Sequence, residues 1–214
     1  MVRAIRNSTI AVLLIGGVLG AGMTLSAASS RQDGTACTSG PTTEPETGSR
    51  AEVGDNGPDE FSTSEDAPTA IGLGGADCLN GRSDSDTLLG GDGRDELRGG
   101  DGTDYLDGGN GSNRFSGGEG NDIIKSGGTS DKGVNEVIYG GEDADLIFLS
   151  GGSADVFAGP GDDTIVAANG YPDVIDCGDG RDQVTYEPED TVTDCEDLLP
   201  LSARIRKPGL LITR

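Results

Sequence analysis

A chain of 214 residues with 38 glycines, 33% hydrophobic residues, 4% aromatics and a formal net charge of −23 has too little apolar surface for an ordinary globular core. Its 38 acidic residues are concentrated: 29 lie between 71 and 199 beside only seven basic ones, a field that repels nucleic acid and anionic lipid and attracts multivalent cations. Histidine is absent, which excludes His-based zinc sites and Ser-His or Cys-His nucleophile pairs, and neither a Gly-x-Ser-x-Gly elbow nor a phosphate-binding Gly-x4-Gly-Lys-Ser/Thr loop occurs.

Residues 1–28 read as an export signal. Arg3 and Arg6 precede an apolar, glycine-containing run from Ile10 to Leu25, and Ser26-Ala27-Ala28 supplies the small residues of a cleavage site. The alternative is an uncleaved anchor in the cell envelope, since the run is near the lower spanning limit of about 17 residues; the small-residue exit favours cleavage. A lipoprotein is disfavoured because Gly34-Thr35-Ala36 ahead of Cys37 lacks the required apolar residue. Residues 29–70 are rich in Ser, Thr, Pro and Glu without sustained apolar periodicity, and predict a disordered acidic linker.

From 71 onward the chain repeats. Residues 90–98 read Gly-Gly-Asp-Gly-Arg-Asp-Glu-Leu-Arg, 99–107 Gly-Gly-Asp-Gly-Thr-Asp-Tyr-Leu-Asp and 117–125 Gly-Gly-Glu-Gly-Asn-Asp-Ile-Ile-Lys. Each is a nonapeptide of the form Gly-Gly-x-Gly-x-Asp-x-apolar-x. Partial units carry Asp77 with Leu79 and Asp86 with Leu88, and Asn113 replaces the aspartate in 108–116. After an insertion around 126–130, the pairs Glu136/Ile138, Asp145/Ile147, Asp155/Phe157, Asp163/Ile165, Asp173/Ile175 and Asp182/Val184 continue the pattern with some drift.

The glycines permit left-handed turns that approach one another closely, and the aspartate puts a hard oxygen ligand inside the turn beside backbone carbonyls. An apolar residue two positions later lies on the same side of a short strand and points inward. The predicted inward row is Leu79, Leu88, Leu97, Leu106, Phe115, Ile124, Ile138, Ile147, Phe157, Ile165, Ile175 and Val184. One such side chain contributes about 1.5–3 kcal/mol against about 1–2 kcal/mol of backbone entropy for each of nine residues, so ligation and stacking must supply the remainder. An EF-hand does not fit, because Asp84-x-Asp86 lacks the following Asp/Asn-Gly and the bidentate Glu. No helical pattern follows the Gly-rich turns, as a nucleotide loop would require.

In these units the stretch from about 72 to 185 resembles the repeats-in-toxin, or haemolysin-type, calcium-binding family. The resemblance implies an all-β fold, a parallel β-roll or β-solenoid over 71–197 in which two nonapeptides make one coil and calcium lies between stacked turns. The metal-site residues it implies are Asp77, Asp86, Gly90, Asp92, Asp95, Gly99, Asp101, Asp104, Gly108, Asn113, Gly117, Asp122, Asp145, Asp155, Asp163, Asp173 and Asp182. Ser83, Asp84, Asn113, Glu136 and the insertion depart from the motif and are expected to weaken local sites.

Four cysteines in an exported chain allow three pairings of two disulfides. Cys177–Cys195 would bracket the last repeat and cap the roll, leaving Cys37–Cys78 to pin the linker across the first coil. The tail 198–214 turns apolar and basic, either a strand over the open end or a frayed segment.

The functional expectation is a secreted, extracellular calcium-binding module, structural or interacting and not an enzyme, that folds as it binds several calcium ions. No nucleic-acid partner and no membrane insertion after signal cleavage are expected. The competing readings are a β-solenoid enzyme acting on acidic polysaccharides and a calcium-dependent adhesion module. Ice binding is excluded by the varied series Ala76, Ser85, Arg94, Thr103, Ser112 and Asn121 at the fifth position.

Overall fold

The computed structural model describes residues 51–65, 68–128 and 135–201. The predicted signal segment, Cys37 and most of the basic tail lie outside the described residues.

Every element among the described residues is a strand. The order is β1 (Glu52–Val53), β2 (Glu60–Ser62), β3 (Thr69–Gly75), β4 (Cys78–Ser83), β5 (Thr87–Gly93) and β6 (Glu96–Asp101). Then come β7 (Tyr105–Asn110), β8 (Arg114–Glu119), β9 (Ile123–Lys125), β10 (Asn135–Glu142), β11 (Leu146–Phe148) and β12 (Ser153–Phe157). The last are β13 (Thr164–Val166), β14 (Val174–Asp176), β15 (Gln183–Tyr186), β16 (Thr191–Thr193) and β17 (Asp197–Pro200). Odd-numbered strands form one parallel sheet in sequence order and even-numbered strands form the other. A chain that alternates sheets at every strand and pairs in parallel with the strand two before it is a solenoid, as the repeat predicted.

Register fixes the coil at two nonapeptides. Thr69 aligns with Thr87 and Thr87 with Tyr105 in the first sheet, while Cys78 aligns with Glu96 and Glu96 with Arg114 in the second. The core between the sheets is a double file of apolar side chains. Leu79, Leu88, Leu97, Leu106, Phe115, Ile124, Ile138, Ile147, Ile165, Ile175 and Val184 are fully buried in it, each two residues after a turn acid or its substitute.

Three expectations are corrected. The roll starts at Glu52 rather than 71: β1 pairs with β3, β2 pairs with β4, and Phe61 is buried in register with Leu79. Gly54-Asp55-Asn56-Gly57-Pro58-Asp59-Glu60-Phe61-Ser62 is a degenerate unit whose Asp59 and Phe61 keep the decisive positions. At the other end the boundary at 197/198 falls inside β17, which pairs with β15.

The third correction concerns Asp155 and Phe157. Register pairs Ile138 with Val156, and Val156 is buried while Phe157 is 42% exposed. Ala154, aligned with Glu136, therefore takes the aspartate's place, and Asp155 lies on the outer face, where its Oδ2 accepts from the Asn135 amide at 3.2 Å. A turn-acid search steps over alanine to the nearest aspartate, which shifts the frame by one and reverses the faces.

The close approach of successive turns needs glycine where φ is positive. A Cβ at Gly93 (φ 149°) or Gly111 (φ 119°) would collide with the carbonyl of the preceding coil's equivalent turn residue, Gly75 or Gly93. Leu73, Arg82, Asp84 and Asp143 hold positive φ in the imperfect units, so the turn geometry persists there at the cost of backbone strain.

Candidate metal centre

All but two of the turns deliver an acid to the inside of the roll, Asn113 and Ala154 being the exceptions, and these positions form two columns, one along each flank. The first flank carries the turns from the odd-strand sheet to the even-strand sheet. Its column is Asp59, Asp77, Asp95, Asn113, Glu136, Ala154 and Asp173. On the second flank the column is Asp86, Asp104, Asp122, Asp145, Asp163 and Asp182. All the acids in both columns are buried.

One carboxylate oxygen of each acid is used within the protein. On the second flank the backbone N–H of Asp86 donates to Asp104 Oδ1, Asp104 to Asp122, Asp122 to Asp145, Asp145 to Asp163 and Asp163 to Asp182, each at 2.8 Å. Glu196 ends that ladder, its Oε2 accepting from Asp182 N–H at 3.0 Å. On the first flank Asp59 N–H donates to Asp77 Oδ1 (2.8 Å), Asp77 to Asp95 (2.9 Å), Asp95 to Asn113 Oδ1 (2.9 Å) and Asn113 to Glu136 Oε2 (2.8 Å). There the ladder is interrupted, because Ala154 has no side-chain acceptor; its own N–H donates to Asp173 Oδ1 at 2.8 Å.

The other oxygen has no protein partner. Oδ2 of Asp77, Asp86, Asp95, Asp104, Asp122, Asp145, Asp163, Asp173 and Asp182 is buried without a hydrogen bond, as is Glu136 Oε1. The orphaned oxygens of Asp77, Asp86, Asp95, Asp104, Asp122 and Asp145 lie beside the carbonyl of the first turn residue one coil on. A Cβ built on Gly90 would come within 2.5 Å of Asp95 Oδ2 and 2.7 Å of the Gly108 carbonyl oxygen. Gly72, Gly99 and Gly117 make the same cradle with Asp77 and Gly90 O, Asp104 and Gly117 O, and Asp122 and Gly140 O. At Gly72, Gly90, Gly99 and Gly117 the missing side chain leaves room where carboxylate and carbonyl oxygens converge, whereas Ala158 and Cys177 hold the same position ahead of Asp163 and Asp182.

Burial in a field of like charge makes these acids hard to ionise. Desolvation, offset in part by the backbone hydrogen bond and reinforced by neighbouring acids, raises Asp77, Asp122, Asp145 and Asp173 to about 7. Burial likewise dominates in Asp86 at about 7, Asp95 and Asp163 at about 6, and Glu136 at about 8. Among the described residues no ion pair joins a basic group to an acid of either column.

A hard divalent cation fits this chemistry: oxygen donors only, half of them anionic, placed where protein hydrogen bonds leave them uncompensated. No three His, Cys, Asp or Glu side chains converge among the described residues, so backbone carbonyls must supply most of any ligand set. Residues able to hold calcium are the column acids and the carbonyls of Gly90, Gly99, Gly108 and Gly117.

The predicted site residues therefore sort into groups. Asp77, Asp86, Asp95, Asp104, Asn113, Asp122, Asp145, Asp163, Asp173 and Asp182 fall in the columns, with Asn113 offering an unpartnered Nδ2 in place of an oxygen. Asp155 does not, as its outward placement shows. Asp92 and Asp101 sit exposed at the ends of β5 and β6; Asp92 Oδ1 accepts from the Asn110 amide at 2.6 Å, and Asp101 stacks in register with Glu119. Asp59 belongs to the first column and was missed because proline, serine and threonine around it mimic linker composition.

At the end of the roll Cys177 and Cys195 are joined, with Cα atoms 5.2 Å apart. The expected Cys37–Cys78 pairing involves a residue outside the described ones.

The family model for the RTX calcium-binding nonapeptide repeat (4 copies) matches residues 53–88, 80–115, 89–124, 107–132 and 133–165. Comparison with curated proteins and with solved structures gave no match. The matches run through most of the described coils and cover more than half of the chain, which belongs to the RTX calcium-binding nonapeptide repeat family.

Proposed function

We propose that this protein is an exported, non-catalytic calcium-binding β-roll that folds outside the cell as its turns fill with calcium. The observation that carries the reading is the row of buried carboxylate oxygens without protein partners, those from Asp77 to Asp122 on both flanks lying beside a backbone carbonyl of the next coil. Without a cation these charges are desolvated for no return, and the thin core cannot offset them. With calcium the same oxygens become ligands, and metal-binding free energy becomes folding free energy.

Export is supported by the charged, apolar and small-residue pattern of 1–28 and by the Cys177–Cys195 disulfide, which suits an oxidising compartment. Low calcium inside the cell would keep the chain open, and extracellular calcium would close it. Affinities of about 10⁻⁴–10⁻³ M would match that task.

Circular dichroism and limited proteolysis across a calcium titration test the proposal. Calcium should raise β signal and protease resistance together, chelator should reverse both, and sodium of equal ionic strength should not substitute. A chelated protein that stays folded and resistant at neutral pH would refute coupled folding and leave a static acidic scaffold.

A further inference from the structure

The two sheets turn different faces to solvent. In the even-strand sheet most strands alternate, as in Glu96-Leu97-Arg98 and Arg114-Phe115-Ser116, and Glu96, Arg98, Arg114, Asp155 and Asp176 stand on its outer face. The odd-strand sheet reads Thr69-Ala70-Ile71, Thr87-Leu88-Leu89, Leu146-Ile147-Phe148 and Thr164-Ile165-Val166, the near-continuous apolar pattern of parallel strands covered on both faces. Its outer face carries two columns in register. One is Ile71, Leu89, Asp107, Lys125, Phe148 and Val166; the other is Thr69, Thr87, Tyr105, Ile123, Leu146 and Thr164. Ile123 is 37% and Phe148 36% exposed, and the rest of the strip is at least partly open to solvent. From β3 to β13 the only charged groups on it are Asp107 and Lys125, paired with each other at 2.7 Å. A neutral, apolar strip of this length on so acidic a chain marks a contact surface.

We infer that this face is a dimer interface whose occupant is a second copy of this chain, packed face to face about a two-fold axis. The axis runs along the strand direction, between β7 and β9. That rotation lays each column over itself and reverses the strand order, giving an isologous contact. Asp107 then faces the partner's Lys125, and Lys125 faces the partner's Asp107. Leu89 faces the partner's Phe148, Ile71 the partner's Val166, Tyr105 the partner's Ile123 and Thr87 the partner's Leu146. The single pair of charges on the strip is thus complementary to itself, and the apolar side chains meet one another or a threonine. The acidity of the chain lies to the sides. Exposed Asp92, Asp101, Glu119 and Glu142 close their strands at the flanks, and physiological salt screens charges beyond about 8 Å. Six strands about 4.8 Å apart make a strip about 29 Å long, small for a dimer interface, so the association is weak and concentration-dependent. The contact needs the folded roll and uses none of the proposed calcium ligands.

The test is sedimentation velocity of the full-length, calcium-saturated protein over a range of concentrations. A monomer–dimer equilibrium is expected, weakened about ten-fold or more in Phe148→Asp and in Ile123→Asp, and unchanged in Phe157→Asp on the even-strand sheet. Asp107→Lys and Lys125→Asp should each weaken self-association, and an equimolar mixture of the two should restore the dimer, because the two-fold sets their opposite charges against each other. The calcium response of every variant by circular dichroism should match the unmodified protein, which separates loss of the face from loss of the fold. A calcium-responsive roll that stays monomeric, a dimer that survives both odd-sheet substitutions or is lost in Phe157→Asp, or a mixture that associates no better than its components would each overturn the proposal. A dimer that forms equally well in chelator would uphold the face and count instead against coupled folding.

Discussion

Along the second flank the turn acid recurs nine residues after its counterpart on the first flank at every one of six turns, from Asp77 to Asp86 through Asp173 to Asp182, and it is always aspartate. Along the first flank the corresponding step takes nine residues from Asp86 to Asp95 and from Asp104 to Asn113. It then stretches across the insertion before Glu136 and gains one residue before Asp173. One edge of the roll has therefore kept the motif through its length, while the other carries the insertion, the asparagine, the glutamate and the alanine. The two edges share the same core and the same sheets, so apolar packing tolerates what the turns do not share. Coil stacking and turn ligation are separable demands, and a single flank can meet the second.

Calcium removal should have the largest effect, because it empties both edges at once. At neutral pH we expect chelation to abolish most β signal by circular dichroism; retention of the signal would mean that neither column matters to folding. Next comes Asp122→Ala, in the middle of the unbroken edge. It should weaken calcium binding roughly ten-fold or more and blunt the cooperativity of the titration, whereas Asp173→Ala, which follows the gap at Ala154 on the broken edge, should cost less. A larger loss at Asp173 would reverse the ranking of the two edges.

Proton binding offers an independent probe of the columns. Folding raises the pKa values of Asp77, Asp86, Asp122 and Asp145 to about 7 through burial, so the calcium-free roll gains stability as pH falls and loses it as pH rises through about 7. In chelator, β signal should therefore increase between pH 8 and pH 5, while the apparent calcium affinity should fall over the same range because protons compete for the ligands. A calcium-free chain whose β content is flat with pH would show that these acids are not buried in it.

Smaller effects test the frame at Ala154. In the calcium-loaded protein Ile165→Ala should cost about 2–5 kcal/mol, as expected for a filled core position. Phe157→Ala should cost only about 0.5–1.5 kcal/mol, the value of its aromatic pair with Tyr139. Asp155→Ala should leave the calcium stoichiometry unchanged by calorimetry. A lost site at Asp155 would restore the one-residue shift that register rejects.

Legibility followed the strength of the local rule. In 90–107 and 117–125 every defined position is filled, and the strands, the inward Leu97, Leu106 and Ile124 and the buried Asp95, Asp104 and Asp122 could all be read directly. Around Asp59 the required glycine, acid and Phe61 are present, but the intervening positions carry residues typical of linkers, and composition hid the unit. At Ala154 the acid itself is gone, and the surviving signal was the alternation of Ala154, Val156 and Ala158 inward against Asp155 and Phe157 outward. The apolar outer face of the odd-strand sheet was not readable, because only register brings Leu89, Phe148 and Val166 into one column.

The bond between Cys177 and Cys195 has a mechanical consequence. The two residues are separated by 18 positions, the length of one regular coil, and Cys177 is buried in the core. A solenoid pulled from its terminus unzips one coil at a time, since each coil holds only its neighbours. With the last coil tied to the turn beneath it, tension applied beyond Cys195 passes through the sulfurs to Cys177, bypassing β15 and β16. Peeling from this end would strip β17 from β15 and then halt at Cys195; the next step has to begin a full coil inward, at Cys177.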